Sequence, residues 1–287
     1  MIKLTRERYA RAIPSGLRGR SRVEKNLKVL KLKREEGSIP SKSFKSTFWK
    51  AAKQQLRKES NDKCAYCEAD TSIVAHGDVE HFRPKNVYWW LAYCYDNYLY
   101  SCQICNQRFK SNHFPISGTK LSGPLVRSNS TDERLAALAK EMTPDPLDTE
   151  NPPGLNSFIQ AAIDEDADLI DPYMVDPEPL LVYEVDDDLR EVKVKIAPRS
   201  LHRAARQEAI DKVYGLNREE LRKVRYQDYE MLEMLRQVLV RLDDDDKSVD
   251  EVKTALRAML ADNHRFAGMS RYFIKKKWKL DVTSNEL

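Results

Sequence analysis

The sequence predicts an α+β fold, predominantly helical, built around a cysteine-rich centre. Three observations point there. Cys64-Ala65-Tyr66-Cys67 is answered by Cys102-Gln103-Ile104-Cys105, and two such pairs can gather four thiolates on one zinc ion. Apolar residues recur at helical spacing over residues 21–60 and again from Leu201 to near the end. Between these lie two short, partly alternating stretches, Leu180 to Val185 and Glu191 to Ile196, joined by Asp186-Asp187-Asp188, the pattern of a β-hairpin.

Taken in order, residues 1–20 are basic and carry Pro14, Gly16 and Gly19, which reads as an irregular arm. Val23, Leu27 and Leu30 mark a helix over 21–36, with Ser21 and Glu24 at capping positions and Gly37 and Pro40 as its stop. Phe44, Phe48, Trp49, Ala52 and Leu56 mark a second helix to about residue 60. Residues 119–155 read as a loop with one short helix from Asp132 to Met142, followed by Pro144, Pro146, Pro152 and Pro153. Asn217, with Glu220 at the capping-box position, is expected to open a long helix that Asp243 to Asp246 break. Ser248 with Glu251 caps the next. The expected organisation is a basic helical region (1–60), a metal-bound core (61–118), an acidic loop-rich region with the hairpin (119–200) and a C-terminal helical region (201–287).

The 287 residues suffice for one large domain or two small ones. No run of about 18 apolar residues is present, so no membrane span is expected. The N-terminus lacks an apolar segment of the secretory type, and a cytoplasmic location follows as the default. Four of the five cysteines lie in the CxxC pairs, which fits metal in a reducing compartment better than disulfides. Cys94, among Trp90, Leu91, Tyr93 and Tyr95, reads as a buried free thiol. The net charge of +4 hides an asymmetry: residues 1–60 hold 18 Lys/Arg against 5 acids, and residues 141–195 hold 16 acids against 3 Lys/Arg. A basic arm beside a metal site suggests contact with a polyanion; a solvated helix face is the plain alternative. The acidic segment suits nucleic-acid mimicry, a basic partner or simple solubility.

The 34 residues between the pairs leave room for a small subdomain. Within it, Gly77 to Lys85 contains a short strand, Val79 to Phe82, ended by Pro84. Glu80 and His81 face opposite sides of a regular strand, and a strand end lets one hold a metal while the other faces substrate. A neutral His81 suits proton abstraction from water near neutral pH. The Glu80 carboxylate is a hard ligand suited to Mg²⁺ or Mn²⁺. Asn97 can hydrogen-bond across the loop and hold His81 in place. Asn106 is expected to start a helix directly after Cys105 and can offer its carbonyl oxygen to the metal; Lys110, one turn on, shares its face. Arg83, Lys85, Arg108 and Lys110 are candidate phosphate contacts. His113 is a further ligand, a phosphate donor or a loop residue. Each has an ordinary alternative: a redox dithiol pair, a surface Glu-His dyad, a turn asparagine, an N-cap, a solvated base.

Val79-Glu80-His81-Phe82 with Pro84, Asn97-Tyr98-Leu99, and Cys102-Gln-Ile-Cys105-Asn106 with Lys110 together resemble the HNH (ββα-metal) endonuclease motif framed by zinc knuckles. The resemblance implies a β-hairpin and a helix around one catalytic divalent ion, with His81 as general base, Asn97 orienting it, and Glu80 and Asn106 holding the ion. Two departures stand out. The family often has Asp or His at the position of Glu80, and His at that of Lys110. With Cys-Ala-Tyr-Cys-Glu, Ile170-Asp-Pro-Tyr173 and Gly215-Leu-Asn-Arg218 added, the chain is similar to the PtuB-type HNH effectors of Septu and retron-linked anti-phage systems. That implies nucleic acid as substrate, DNA ahead of tRNA, and a PtuA-like ATPase of the ABC/SMC class as partner. The competing reading is a non-catalytic, zinc-stabilised module that binds nucleic acid or the ATPase.

Overall fold

Two antiparallel two-stranded ribbons set the frame of the computed structural model, which describes residues 1–71, 77–148, 154–243 and 248–282. The first pairs β1 (Asp78–His81) with β2 (Tyr98–Ser101), placing Glu80 opposite Leu99 and His81 opposite Tyr98. Both strands are almost wholly buried, so β2 reads as a continuous Tyr-Leu-Tyr run rather than an alternation. Beyond His81 one more bond, from Phe82 N to Asn97 O (2.9 Å), closes the ribbon before the connecting loop begins. The second ribbon, β3 (Leu181–Asp186) with β4 (Glu191–Ile196), lies where the alternation placed a hairpin.

The predicted helix at 21–36 is α1 (Gly19–Glu36), which packs on α4 (Asp132–Glu141) through Leu30, Leu135, Leu138 and Ala139. Buried Asn26 ties the pair together by donating to Ala139 O and Thr143 Oγ1, both at 3.0 Å. The single helix expected to reach residue 60 is instead two, α2 (Thr47–Lys50) and α3 (Lys53–Glu59). The break lets Trp49 turn onto His81 and Tyr93 while Leu56 enters a cluster with Ile13, Leu17 and Tyr98. α5 (Leu155–Asp164) was not anticipated. Its apolar positions Leu155, Phe158, Ile159 and Ala162 carry helical spacing, masked by the prolines before them. Pro152, Pro153 and Asp244 to Asp246 lie outside the described residues.

The C-terminal region contains α6 (Arg203–Glu208) with a π-helical continuation, α7 (Glu219–Arg241), α8 (Ser248–Leu260) and α9 (Ala267–Arg271), itself extended by a π-helical turn. Asn217 does not cap α7 as expected. Its side chain is spent on β4, accepting from Val194 N (2.7 Å) and donating to Val194 O (2.8 Å).

The N-terminal arm is irregular over residues 1–14, as expected, but its start is packed into the fold. Met1, Ile2 and Leu4 are buried, and Leu4 N donates to Pro172 O. The Arg6 guanidinium sits 3.7 Å from the Tyr173 ring centroid and beside Glu59, and Arg8 pairs with Asp96 at 2.6 Å. Cations at the start of the chain are thus matched internally, and the basic surplus open to a polyanion is smaller than the sequence count implies. One apolar cluster draws on Met1–Leu4, the cysteine region, both strands of the second ribbon and α7 to α9. Among the described residues no helix is long and apolar enough to cross a membrane.

Candidate active site and metal centre

The first CxxC pair forms a tight turn. Glu68 N donates to Cys64 O (2.9 Å), Cys64 N donates to Ala69 O (3.0 Å), and Glu68 takes a positive φ of 60°. Ala65 N donates to Tyr100 O (2.9 Å), fixing the turn to β2. Cys102 follows β2 directly, and Cys105 lies in a π-helical turn, Ile104–Lys110. The four Sγ atoms fall within 4.8 Å of one another. A tetrahedral zinc with bonds of about 2.3 Å needs sulfurs about 3.8 Å apart, so this cluster can hold a metal with little movement. All five cysteines are free thiols, and burial pushes the Cys94 thiol up to about 12.

Residues from the far end of the chain cover this cluster. Arg218 Nη1 lies 3.5 Å from Cys105 Sγ and Nη2 lies 4.0 Å from Cys67 Sγ. Four thiolates on a divalent ion carry a net double negative charge, which this guanidinium offsets in part. Lys63 Nζ donates to His264 O (2.8 Å), Phe266 N to Glu68 O (3.4 Å) and Gly268 N to Glu68 Oε1 (3.2 Å). The Met1 ammonium adds a 2.5 Å contact to Glu68.

Beside the cluster, β1 and the π-helical turn enclose a cleft of about 240 Å³ lined by Glu80, His81, Pro84, Lys85, Asn106, Gln107, Ser111 and Asn112. The His81 ring is wedged edge-on between Trp49 and Tyr98, with centroids at 4.9 and 5.1 Å. Its Nε2 lies 3.0 Å from the carbonyl oxygen of Ala92. A carbonyl only accepts, so Nε2 carries the proton and Nδ1 keeps its lone pair. Burial, with the Lys85 charge adding to it, lowers the ring to about 3, so the imidazole is neutral at physiological pH.

Glu80 points toward the π-helical turn. Its Oε1 lies 2.5 Å from Lys110 Nζ, an ion pair without good hydrogen-bond geometry, and Nζ also donates to His81 O at 3.0 Å. Burial raises the Glu80 carboxyl above its ordinary value although the Lys110 ammonium opposes the rise. The Asn97 side chain hydrogen-bonds the loop rather than the imidazole. Its Oδ1 accepts from Arg83 N (2.9 Å) and its Nδ2 donates to Arg83 O (3.0 Å) and Leu91 O (3.4 Å). It therefore fixes the loop at both ends of the segment whose Ala92 carbonyl holds His81.

Two expected phosphate contacts are placed elsewhere. Arg83 is 1% exposed, with Nε on Glu165 Oε2 (2.6 Å) and Nη2 on Ala162 O (2.8 Å). Lys110 is 0% exposed and committed to Glu80. Lys85 lines the cleft, its ammonium 5.6 Å from the Trp49 ring centroid, and Arg108 is exposed on the π-helical turn. His113 is exposed and is not among the residues lining the cleft. The helix expected at Asn106 starts at Ile104, and Asn106 lines the cleft. Trp49 and Arg218 were not singled out as site residues; the first was visible as an aromatic on a helical face and the second in Gly-Leu-Asn-Arg. Removing one partner of a buried pair leaves an uncompensated charge, so Arg83→Leu is expected to cost about 3–5 kcal/mol of stability, read from urea unfolding. A change within error would mean that Glu165 finds another partner or becomes protonated.

Against known proteins, the chain is 35% identical over 95 residues to the Septu protein PtuB of Bacillus mycoides (strain KBAB4). The match takes in 29% of this chain and 31% of that protein, so it spans about a third of the relative's length. No protein-family model matches, and no solved structure matches.

Proposed function

We propose that the chain is an HNH-type endonuclease that hydrolyses nucleic-acid phosphodiester bonds, acting as the effector of an anti-phage system together with an ABC/SMC-like, PtuA-like ATPase. The likeness to Septu protein PtuB supports the defence role. The observation that carries the chemistry is the open cleft in which a neutral imidazole, a carboxylate, an amide and a lysine meet beside four clustered thiols. Cys64, Cys67, Cys102 and Cys105 would hold a zinc ion, which would tie the first cysteine turn to the π-helical turn after β2.

His81 Nδ1 takes the proton of the attacking water, and the Ala92 carbonyl holds the ring in the tautomer that allows it. Lys85 attracts a phosphate oxygen to the cleft. A divalent ion such as Mg²⁺ or Mn²⁺, held by Glu80 and Asn106, would stabilise charge on the phosphate and leaving oxygen. The donor types suit such an ion, on the condition that the Glu80 carboxylate is released from Lys110. The expected products carry 5′-phosphate and 3′-hydroxyl ends. The test is incubation of the chain, alone and with the partner ATPase, with supercoiled plasmid and total tRNA in Mg²⁺ or Mn²⁺. Nicking or cleavage that disappears in EDTA supports the reading; both polymers surviving intact under every condition ends it.

A further inference from the structure

The cation facing Glu80 in this fold belongs to the protein itself. Lys110 Nζ sits 2.5 Å from Glu80 Oε1 and 3.0 Å from His81 O, with no exposed surface. It therefore contacts a carboxylate oxygen and a backbone oxygen, the donor types a hard divalent ion selects. Lys85 lines the same cleft, and Glu80 is the acid among its described lining residues. One carboxylate thus faces two ammonium groups. Adding a divalent ion beside both would place like charges together in a half-buried site, a repulsion that solvent screens poorly. Outside the four cysteines, the described residues gather no second cluster of three or more Cys, His, Asp or Glu ligand atoms that could outweigh it.

We infer that Lys110 is a built-in competitor for the divalent ion: its ammonium holds the seat at Glu80 in the resting chain, and an ion enters by displacing it. The inference rests on the nuclease reading for its purpose, although ion binding can be judged without any cleavage. The π-helical turn supplies a means of release. Lys110 is its last residue, followed by Ser111 at a positive φ of 44°, so unwinding of its C-terminal end alone would withdraw the ammonium. Lys110 is then a positioning residue that sets when the centre is charged with metal.

The experiment is Mn²⁺ titration of zinc-loaded protein followed by electron paramagnetic resonance. Lys110→Met, close in size and uncharged, is expected to bind Mn²⁺ at least tenfold more tightly than wild type, about 1.4 kcal/mol. Lys110→Arg is expected to bind as weakly as wild type, and Lys110→Met combined with Glu80→Gln to lose the gain. Equal affinity in wild type and Lys110→Met, or no binding by Lys110→Met, overturns the inference. Should Lys110→Met fail to fold, wild type decides. Side-chain NMR of Lys110 must show a new environment at saturating Mg²⁺, and an unchanged signal is equally fatal. Intact plasmid and tRNA beside a tenfold gain in affinity would sink the nuclease reading and leave the competition standing; cleavage with no gain would do the reverse.

Discussion

His81→Ala is expected to slow phosphodiester cleavage by about 10²- to 10⁴-fold. Wedged between Trp49 and Tyr98 and bonded through Nε2 to Ala92 O, the imidazole has one orientation and one tautomer. Its remaining nitrogen, Nδ1, keeps its lone pair, and the ring is neutral at working pH because burial opposes protonation. Alanine removes the proton acceptor and also some packing, so zinc content and thermal stability are measured alongside the initial nicking rate. His81→Gln, which keeps more of the volume but has no comparable base, is expected to be as slow. Wild-type rates in both variants would remove His81 from the chemistry and leave the four-cysteine scaffold untouched.

Losing the metal of the thiol cluster is expected to unfold the centre. Structural zinc in small domains contributes roughly 10–16 kcal/mol at neutral pH, as much as or more than the whole stability of a typical domain. Here Cys64, Cys67 and Cys105 belong to the largest apolar cluster of the described residues, with Tyr66, Leu99, Tyr214 and Leu216, so loosening them opens the core that β2 shares with the C-terminal region. Cys105→Ser, or chelation by a strong zinc ligand, is expected to release about one zinc per chain and lower the melting temperature by well over 10 °C. Metal analysis and calorimetry check both. An undisturbed melting curve in Cys105→Ser protein would mean that the four sulfurs cluster without an ion.

The sequence carried some of this plainly and some not at all. Cys64, Cys67, Cys102 and Cys105 were legible because ligand spacing is local and its chemistry leaves few alternatives. The β3–β4 hairpin was legible because one face is buried and the other wet. The positions of Glu80, His81 and Asn106 around one cleft followed from the motif, whereas their partners did not. Lys110 and Arg83 read as cations free for phosphate, since charge is visible in a sequence and burial is not; Glu165, 82 residues after Arg83, gives no local sign of claiming it. The pairing of the N-terminal arm's cations was hidden for the same reason, because Glu59, Glu68 and Asp96 meet them only after the chain has folded back. The helical period of α5 is masked in the sequence by the prolines directly before it.

The cover over the cysteine turn has a bearing on how the protein is made. Lys63 and Glu68 are sealed by His264, Phe266 and Gly268, some 200 positions later. A ribosome adding about 5–20 residues per second needs about 10–40 s to deliver them. During that interval Lys63 and Glu68 lack their partners, so the cysteine turn is completed only after the last tenth of the chain has been delivered.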